Sequence, residues 1–360
     1  MKRKLVIMLL GAGLSLGSVG CQRPAETPQS TPAGTPWKGK THLVASAARA
    51  NFPRMITWLY NGLYNEFPHR EFTGEILFTG SGYAIEMINI IEGRAQLAVV
   101  TPSATAHMAL HGVGLFSKPY PNLRGLFKIG QHDPMTLAVP VSLGVKSFDE
   151  VIQKKIPIKI AVGFQDGDDT TGFFFKALME AYGSSIEELR SWGGDVIEVS
   201  TSTPGMAKIL AGEADSIFHE AMVIASPRWK EVNDKTPMRV LSIPEDVIQK
   251  LGQFGFRKFD KVLKKGTYPG LLEDVTTVDY SDWIVIGDAS IPDDVAYKIA
   301  KVAVETIPAW VSQAPPGSLH TEESGELGNL VPNPKTMWKD LGAPLHPGAE
   351  RYYKEMGLMP

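Results

Sequence analysis

Three carboxylates lie within four residues of one another in a short polar stretch near the middle of the chain, 165–172 (QDGDDTTG). Carboxylates accept hydrogen bonds and attract cations, so Asp168 and Asp169 could bind an amino group, a polyhydroxylated solute or a metal-bridged acid. Thr170 and Thr171 add hydroxyls beside them. The carboxylates could instead cap the helix that the following residues predict, by accepting hydrogen bonds from its first N–H groups. Both interpretations remain open at the level of the sequence.

An earlier loop has a cation just before its predicted helix, where 165–172 has carboxylates. Arg49 stands just before a predicted helix, where its charge and the free N–H groups of the helix N-terminus suit a carboxylate or another anion. Ala48 and Asn51 belong to the same loop, and Phe52 supplies an aromatic wall. We therefore take these residues as candidate ligand contacts. An arginine that projects into solvent is the simpler alternative.

Two further loops carry small and hydroxylated residues that permit close approach of the backbone to a solute. Ser81 and Gly82 offer a hydroxyl and free N–H groups to an oxygen-rich ligand, which Tyr83 would cover. Thr101 and Ser103 offer similar groups after the next predicted strand. Any tight turn from strand to helix tolerates Gly and Ser, so a purely structural role is the alternative for both loops.

His219 and Glu220 follow another predicted strand and complete the candidate site. If Glu220 faces the ligand, it adds to the acidic character of 165–172. We expect no metal site and no cofactor. The acidic stretch lacks the ligand spacing and final Glu of an EF-hand, and the Gly-Ser-Gly at 80–82 lacks the third glycine and distant acid of a dinucleotide fingerprint.

The sequence does not predict an enzyme. A catalytic site needs a nucleophile or base paired with an orienting group. The only cysteine is Cys21, near the N-terminus, and the eight histidines show no HExxH or similar metal-binding spacing.

The elements that must position these loops alternate between strands and helices. Apolar runs predict strands at 42–46, 75–79, 96–100, 123–129, 135–140, 158–163, 196–200 and 216–219, and helical periodicity predicts helices at 52–67, 83–92, 171–182 and 204–211. A βαβ pattern implies mostly parallel sheets covered by helices on both faces. Ligands of such sheets bind beyond the carboxyl ends of the strands, which is where the candidate residues lie.

The N-terminal residues read as an export signal that ends at Cys21. Residues 1–4 carry three positive charges, 5–16 form an apolar run, and small residues fill 18–20. We expect a lipoprotein signal peptide at 1–20 and, at 21–40, a lipidated Cys21 followed by a flexible linker rich in Pro, Thr, Ser and Ala. The protein would then lie in the periplasm or at the cell surface, anchored to the membrane by lipid. An ordinary secretory signal is the alternative, because Ser18 replaces the usual Leu of a lipobox.

The composition narrows the remaining classes of function. The chain has 360 residues, a net charge of −3 and 43% hydrophobic residues, which predicts two packed domains and gives no sign of nucleic-acid binding. A single cysteine excludes an intramolecular disulfide. We expect a monomer.

Four segments carry a resemblance to the TAXI family, the solute-binding proteins of a class of TRAP transporters. The most specific is the C-terminal stretch 344–358 (PLHPGAERYYKEMGL), and the others are 81–100 (SGYAIEMINIIEGRAQLAVV), 123–146 and 212–218 (GEADSIF). The similarity extends in order and spacing over 41–360.

The resemblance implies a type II periplasmic-binding-protein fold, which is an α/β fold of two lobes joined by a two-segment hinge, with the ligand cleft between the lobes. It places lobe 1 at 41–139 and 241–360 and lobe 2 at 140–240, with crossovers near 137–141 and 240–243. Closure of the lobes on a small solute would create the state that a membrane partner recognises.

The resemblance also implies a function: capture of a small organic acid or amino-acid-like solute and its delivery to an ion-coupled TRAP permease. A sensor subunit that presents a solute to a membrane signalling protein is the alternative. The family commonly has a Gly-Ser-Gly-Thr loop where this chain has Asp168 and Asp169. An amino-bearing acid is therefore favoured, with these residues and Glu220 facing its amino group and Arg49 its carboxylate.

Overall fold

The computed structural model describes residues 40–48, 52–68, 70–79, 83–220, 223–312, 327 and 330–360. The expected signal peptide, Cys21, almost all of the linker, and the candidates Arg49, Asn51, Ser81 and Gly82 lie outside the described residues.

Strands and helices alternate along the described chain. The strands are β1 (Thr41–Ala47), β2 (Phe72–Phe78), β3 (Leu97–Val100), β4 (Leu123–Gln131), β5 (Met135–Pro140), β6 (Lys159–Val162), β7 (Asp195–Glu198), β8 (Ser216–Glu220), β9 (Met238–Val240), β10 (Trp283–Asp288) and β11 (Leu330–Val331). The helices are α1 (Phe52–Glu66), α2 (Ala84–Ile91), α3 (Ser103–His111), α4 (Phe148–Gln153), α5 (Thr170–Ala181), α6 (Ile186–Ser191), α7 (Ser202–Ala211), α8 (Pro227–Lys235), α9 (Glu245–Leu251), α10 (Asp293–Glu305), α11 (Ile307–Ser312) and α12 (Pro347–Glu355).

The strands form two sheets that repeat one topology. The first sheet has the order β11-β4-β10-β3-β1-β2 and the second β7-β6-β8-β5-β9. In each sheet three strands run parallel in the order second, first, third. A strand from elsewhere in the chain then inserts antiparallel before the fourth strand: β10 in the first sheet and β5 in the second. The expected α/β architecture of two lobes is confirmed.

The inserted strands β5 and β10 lie inside their sheets because their sequences are largely apolar. Every residue of β3, β5 and β10 is buried, as central strands with both faces covered require. Helices pack closely on these sheets. At Gly62 of α1, a Cβ atom would lie 2.2 Å from Cγ1 of Val302 in α10, so only glycine allows the two helices to approach this far.

Two chain segments connect the lobes as an antiparallel ribbon, which we call the hinge ribbon (131–135 and 278–283). The backbone N of Met135 donates to the carbonyl of Val278 at 2.9 Å, and that of Tyr280 donates to the carbonyl of Asp133 at 2.8 Å. Pro134 and Asp279 form the bridge between these two hydrogen bonds.

This ribbon differs from the crossovers expected near 137–141 and 240–243. β5 lies in the second sheet, and Phe259, Leu263 and Val275 share a buried cluster with Val240. We therefore propose lobe 1 at 41–131 and 283–360 and lobe 2 at 135–278, in place of the boundaries 41–139, 140–240 and 241–360. A short, fully buried strand has no local sequence pattern that indicates which sheet it joins, so the sequence alone does not determine the boundary between the lobes.

Among the described residues, no helix combines the length and the apolarity that crossing a bilayer requires.

Candidate ligand-binding cleft

The two lobes meet at the loops that follow the carboxyl ends of their strands, and we call this meeting surface the ligand cleft. Tyr83, just before α2 of lobe 1, pairs with Asp169, just before α5 of lobe 2, in an antiparallel bridge. Nearby, the buried hydroxyls of Thr105 and Thr170 lie 3.1 Å apart. Direct contact of both backbone and side chains shows that the lobes are closed on each other here.

Asp169 is the N-cap of α5. Its Oδ1 accepts hydrogen bonds from the backbone N of Thr171 at 2.7 Å and of Gly172 at 2.9 Å. Burial raises the pKa of this carboxyl from its ordinary value to about 6, against the lowering effect of these hydrogen bonds. The capping interpretation therefore holds for Asp169, although its side chain is also buried at the lobe contact. Asp168 is exposed, and its own N–H donates to Asp166 at 3.2 Å.

Four aromatic rings line the cleft. The ring of Phe52 lies 5.1 Å from that of Trp283, edge to face, and 5.5 Å from that of Tyr83. The ring of Tyr83 lies 6.4 Å from that of Tyr280, whose hydroxyl is 2.9 Å from the hydroxyl of Thr171. Tyr280 and Trp283, from the hinge ribbon, thus lie close to Phe52, the predicted aromatic wall, and to Tyr83, the predicted cover; contact of these rings with a ligand remains a prediction. Ala48 is buried.

Thr101 and Ser103 start the next loop of lobe 1. The hydroxyl of Thr101 donates to the backbone carbonyl of Tyr280 at 3.1 Å, so it holds the hinge ribbon in place. Ser103 is the first residue of α3 and is half-buried. A direct ligand contact for either hydroxyl remains a prediction.

Glu86 is a cleft residue that sequence reasoning missed. It is fully buried in the first turn of α2, where Thr79 donates its hydroxyl to Oε1. Its other oxygen, Oε2, has no hydrogen-bond partner in the described part of the chain. Burial raises the pKa of this carboxyl. A sequence signal was present, because Glu86 is the single acidic residue in the otherwise apolar helix AIEMINII.

Acidic groups surround the phenol of Tyr83. Burial and the nearby charges of Asp133, Asp169 and Glu86 together raise its pKa. Tyr83 therefore stays neutral and can donate a hydrogen bond. Asp133, in the hinge ribbon, was also missed from the sequence, where it follows a strand without any helix-start pattern.

His219 and Glu220 end β8 beside the hinge ribbon. Burial lowers the pKa of His219 to about 3, so its imidazole is neutral. Nδ1 of His219 contacts both Oε2 and the backbone N of Glu220. A neutral ring nitrogen either donates or accepts, so only one of these contacts is a hydrogen bond. Glu220 is half-buried and pairs with Met135 of β5, which places it at the hinge side of the cleft.

A second polar region, the hinge cavity, occupies about 400 Å³ beside the hinge ribbon. It contains none of the residues that the sequence predicted. Its charged lining residues are Lys128, Arg257, Lys258, Asp260, Asp279, Asp282 and Asp340. The buried pair Lys128–Asp282 is 2.5 Å long, and Arg257 lies 2.8 Å from Asp279 and 3.5 Å from Asp340.

No group of three or more His, Cys, Asp or Glu side chains is placed to hold a metal ion within the described ranges.

Two lobes whose sheets share the order of five strands, with β11 added at the edge of the first sheet, are joined by a two-segment ribbon and face each other with the carboxyl ends of their parallel strands. This arrangement defines the type II periplasmic-binding-protein fold. This is the fold of proteins that bind solutes by closing two lobes. The chain itself belongs to the NMT1-like family, whose model matches residues 72–357.

The chain is also similar to several solved structures. One is described as a periplasmic transporter, with 14% identity over 88% of this chain and 92% of that chain and a TM-score of 0.43. Another is XAC2383 from Xanthomonas citri bound to ATP, with 12% identity over 87% of this chain and 98% of that chain and a TM-score of 0.48. A third is PhnD1 from Prochlorococcus marinus in complex with methylphosphonate, with 9% identity over 88% of this chain and 98% of that chain and a TM-score of 0.47. Because these three TM-scores are below 0.5, the function proposed below rests on this chain's own fold and residues.

Proposed function

We propose that the protein is the extracytoplasmic solute-binding subunit of a TRAP transporter of the TAXI type. It captures a small organic acid or amino-acid-like solute by closure of its lobes and delivers it to an ion-coupled membrane permease. The observation that carries this proposal is the contact between the lobes, formed by the Tyr83–Asp169 bridge and the Thr105–Thr170 hydroxyl pair. A ligand enclosed beside these contacts stabilises the closed state in proportion to its preference for that state.

The C-terminal stretch that carries the TAXI resemblance has a structural role in lobe 1. The carbonyl of Pro344 accepts a hydrogen bond from Gly125 at 2.8 Å, and the N–H of His346 donates back to Gly125 at 2.9 Å. Tyr353, fully buried, donates its hydroxyl to the carbonyl of Leu126 at 3.1 Å. The stretch therefore fixes α12 against β4. It supports the proposed kind of transporter through family resemblance and does not bear on the ligand.

The candidate contacts divide between the lobes as a closing cleft requires. Phe52 and Tyr83 come from lobe 1, and Asp169 and Thr171 come from lobe 2. Tyr280, at the hinge ribbon, contacts Thr171 of lobe 2 and Thr101 of lobe 1. A ligand that bridges the lobes would thus also set the angle of the hinge.

Small-angle scattering and thermal shift on the mature chain test the binding function. A panel of amino acids, oxo acids, hydroxy acids and polyamines should include a compound that raises the melting temperature and reduces the radius of gyration. A Tyr83→Ala variant should lose most of this response, while Tyr64→Ala, on an exposed surface of α1, should keep it. A panel that changes neither quantity contradicts the proposal.

Export and anchoring belong to the same proposal. We expect mass spectrometry of the membrane fraction to find acyl chains on Cys21, with residues 1–20 removed. A mature protein that begins at another residue and carries no lipid would contradict the anchor. Co-purification with a TRAP permease, in place of a membrane signalling protein, separates transport from sensing.

A further inference from the structure

We propose that the solute carries a positively charged amino group and that Glu86 and Asp169 form the subsite that binds this group. The inference rests on the binding function proposed above and extends it to the chemistry of the ligand. It also replaces the exposed Asp168 by the buried Glu86 as the partner of Asp169.

Glu86 supplies the first part of the argument. A carboxylate that is fully removed from water needs hydrogen bonds or an opposite charge, since an unpaired buried charge is very unfavourable. Glu86 accepts a side-chain hydrogen bond from Thr79 and one from its own backbone N–H, but its Oε2 has no partner in the described part of the chain. No Lys or Arg among the described residues acts on its pKa, which burial raises. An ammonium group with three N–H donors would provide both the missing charge and the missing hydrogen bond.

Asp169 supplies the second part from the other lobe. Its carboxyl is buried, and the charged neighbour that acts on its pKa is another acid, Asp166. The backbone bridge joins Asp169 to Tyr83, which directly precedes the helix that carries Glu86 in its first turn. Burial and the charges of Asp133, Asp169 and Glu86 raise the pKa of Tyr83, so both proposed subsite acids are close enough to act on its phenol. Two carboxylates from two lobes that converge on one phenol would repel an anion.

The aromatic rings supply a third and independent part. A cation is attracted to the faces of Tyr and Trp rings at distances within about 6 Å, and clusters of such rings are a common way to bind ammonium groups. Phe52, Tyr83 and Trp283 form a continuous cluster, and its member Tyr83 is the ring on which the two carboxylates act. Rings and acids together therefore fit an amine better than a neutral or anionic group.

Isothermal titration of the mature chain with matched ligand pairs tests the charge directly. The pairs are L-alanine and L-lactate, L-leucine and L-2-hydroxyisocaproate, and L-glutamate and L-2-hydroxyglutarate, with cadaverine as an amine that lacks a carboxylate. In the pair that binds, we expect the amino acid to bind at least about tenfold more tightly than its hydroxy-acid partner, as expected for charge-assisted hydrogen bonds. If cadaverine is the compound that binds, we expect it to bind at least about tenfold more tightly than any of the hydroxy acids.

The outcomes separate the two proposals. Hydroxy acids that bind as tightly as their amino partners would overturn the cation subsite and leave the solute-binding function intact. A chain that binds none of these compounds, and that does not close with any member of the wider panel, would overturn both.

Charge-neutral variants locate the subsite. Glu86→Gln keeps the size of the side chain and an acceptor for Thr79, and Asp169→Asn keeps a residue that caps helices well. Each should weaken binding of the amino compound at least about tenfold and reduce its advantage over the hydroxy acid. Glu92→Gln is the matched control, because Glu92 is exposed at the other end of α2 and pairs with Arg94.

Circular dichroism and melting curves establish that each variant is folded. If one variant does not fold, the other still decides the question. Unchanged preference for the amino compound in a folded Glu86→Gln or Asp169→Asn protein would contradict the proposal.

Discussion

The hinge cavity and the ligand cleft are both lined by acidic residues, but these acids differ in whether a described Lys or Arg lies beside them. In the hinge cavity, Asp282 pairs with Lys128 at 2.5 Å and also accepts a hydrogen bond from the backbone N of Gln131. In the cleft, no described Lys or Arg shifts the pKa of Glu86 or Asp169. Charges that the protein balances within itself leave no unpaired charge for a ligand to neutralise. Charges that it leaves unbalanced in a closing cleft are suited to a ligand.

The comparison has a thermodynamic side. Burial raises the pKa of Asp282 in spite of the nearby Lys128, so the pair is not an obvious net gain in stability. The free energy of unfolding should nevertheless fall when one partner is removed, because the other charge is then buried and unpaired. Removal of the Glu86 charge is instead expected to stabilise the protein, because without ligand its carboxylate already lacks a cation.

The largest effect should come from breaking the balanced pair. Lys128→Met leaves Asp282 buried without a cation, and we expect a loss of about 3–5 kcal/mol in the free energy of unfolding, measured by urea denaturation. The double variant Lys128→Met/Asp282→Asn should recover much of this loss. Equal losses in the single and double variants would show that the pair does not carry the effect.

The pH dependence of binding should sharpen the comparison next. Asp169, with a pKa of about 6, must be ionised to bind an ammonium group, and Glu86, Asp133 and Asp166 are the acids around it. We expect the Kd of an amino compound to rise about tenfold per pH unit below 6 for each carboxyl that takes up a proton. The hydroxy-acid partner should not show this weakening. Titration calorimetry between pH 4.5 and 7.5 measures both.

The same carboxyl predicts a trend in stability without ligand. Since the folded-state pKa of Asp169 is raised, its contribution is fully present below pH about 4 and is lost as the pH rises through about 6. The wild type should therefore lose stability relative to Asp169→Asn over this window. His219 acts in the opposite direction: its lowered pKa favours the folded state above pH about 6.5 and this contribution is lost as the pH falls towards about 3. The difference between the two proteins isolates Asp169, because both contain His219.

A smaller effect is expected from the unbalanced side of the comparison. Glu86→Gln removes a buried charge and should raise the free energy of unfolding of the ligand-free protein by about 1 kcal/mol, while ligand affinity falls. Functional sites commonly show this opposition between stability and binding. Parallel loss of stability and affinity would indicate that Glu86 has a structural role. Glu92→Gln again serves as the control.

The smallest effect belongs to the exposed ion pair that spans the lobes. Arg257 of lobe 2 lies 3.5 Å from Asp340 of lobe 1, and both side chains contact solvent. Asp340 has φ 53°, so Asp340→Asn removes the charge and keeps a residue that tolerates this backbone conformation. We expect a change below about 1 kcal/mol in stability, reduced further by salt. A severalfold change in ligand affinity would instead show that this pair biases the closure of the hinge.

Much of the fold was predictable because its strands and helices have strong local patterns. The helix predicted at 52–67 is α1, and the strands predicted at 75–79 and 216–219 are β2 and β8 within one to three residues. The parts that were missed depend on distant partners. β10 joins the first sheet only through β3 and β4, and the ribbon at 278–283 is held by hydrogen bonds to 133–135.

The candidate site was predictable to a similar extent. Phe52, Tyr83, Asp169 and Thr171 lie together at the lobe contact, since each follows a strand that ends there. Asp168 does not join them, because its neighbour caps the helix and the chain turns its side chain to solvent. Glu86 lies one helical turn beyond its loop, and Tyr280 and Trp283 come from a part of the chain without any local signal.

By itself, the sequence determined the alternation of strands and helices, the loops at the strand ends and the acidic character of those loops, since each depends on neighbouring residues. Only the tertiary structure decided which acids share one place and which have a cation beside them. Glu86 and Asp169 are 83 positions apart, and Lys128 and Asp282 are 154 apart. Their charges acquire meaning through burial and proximity, which arise when the two lobes form and close.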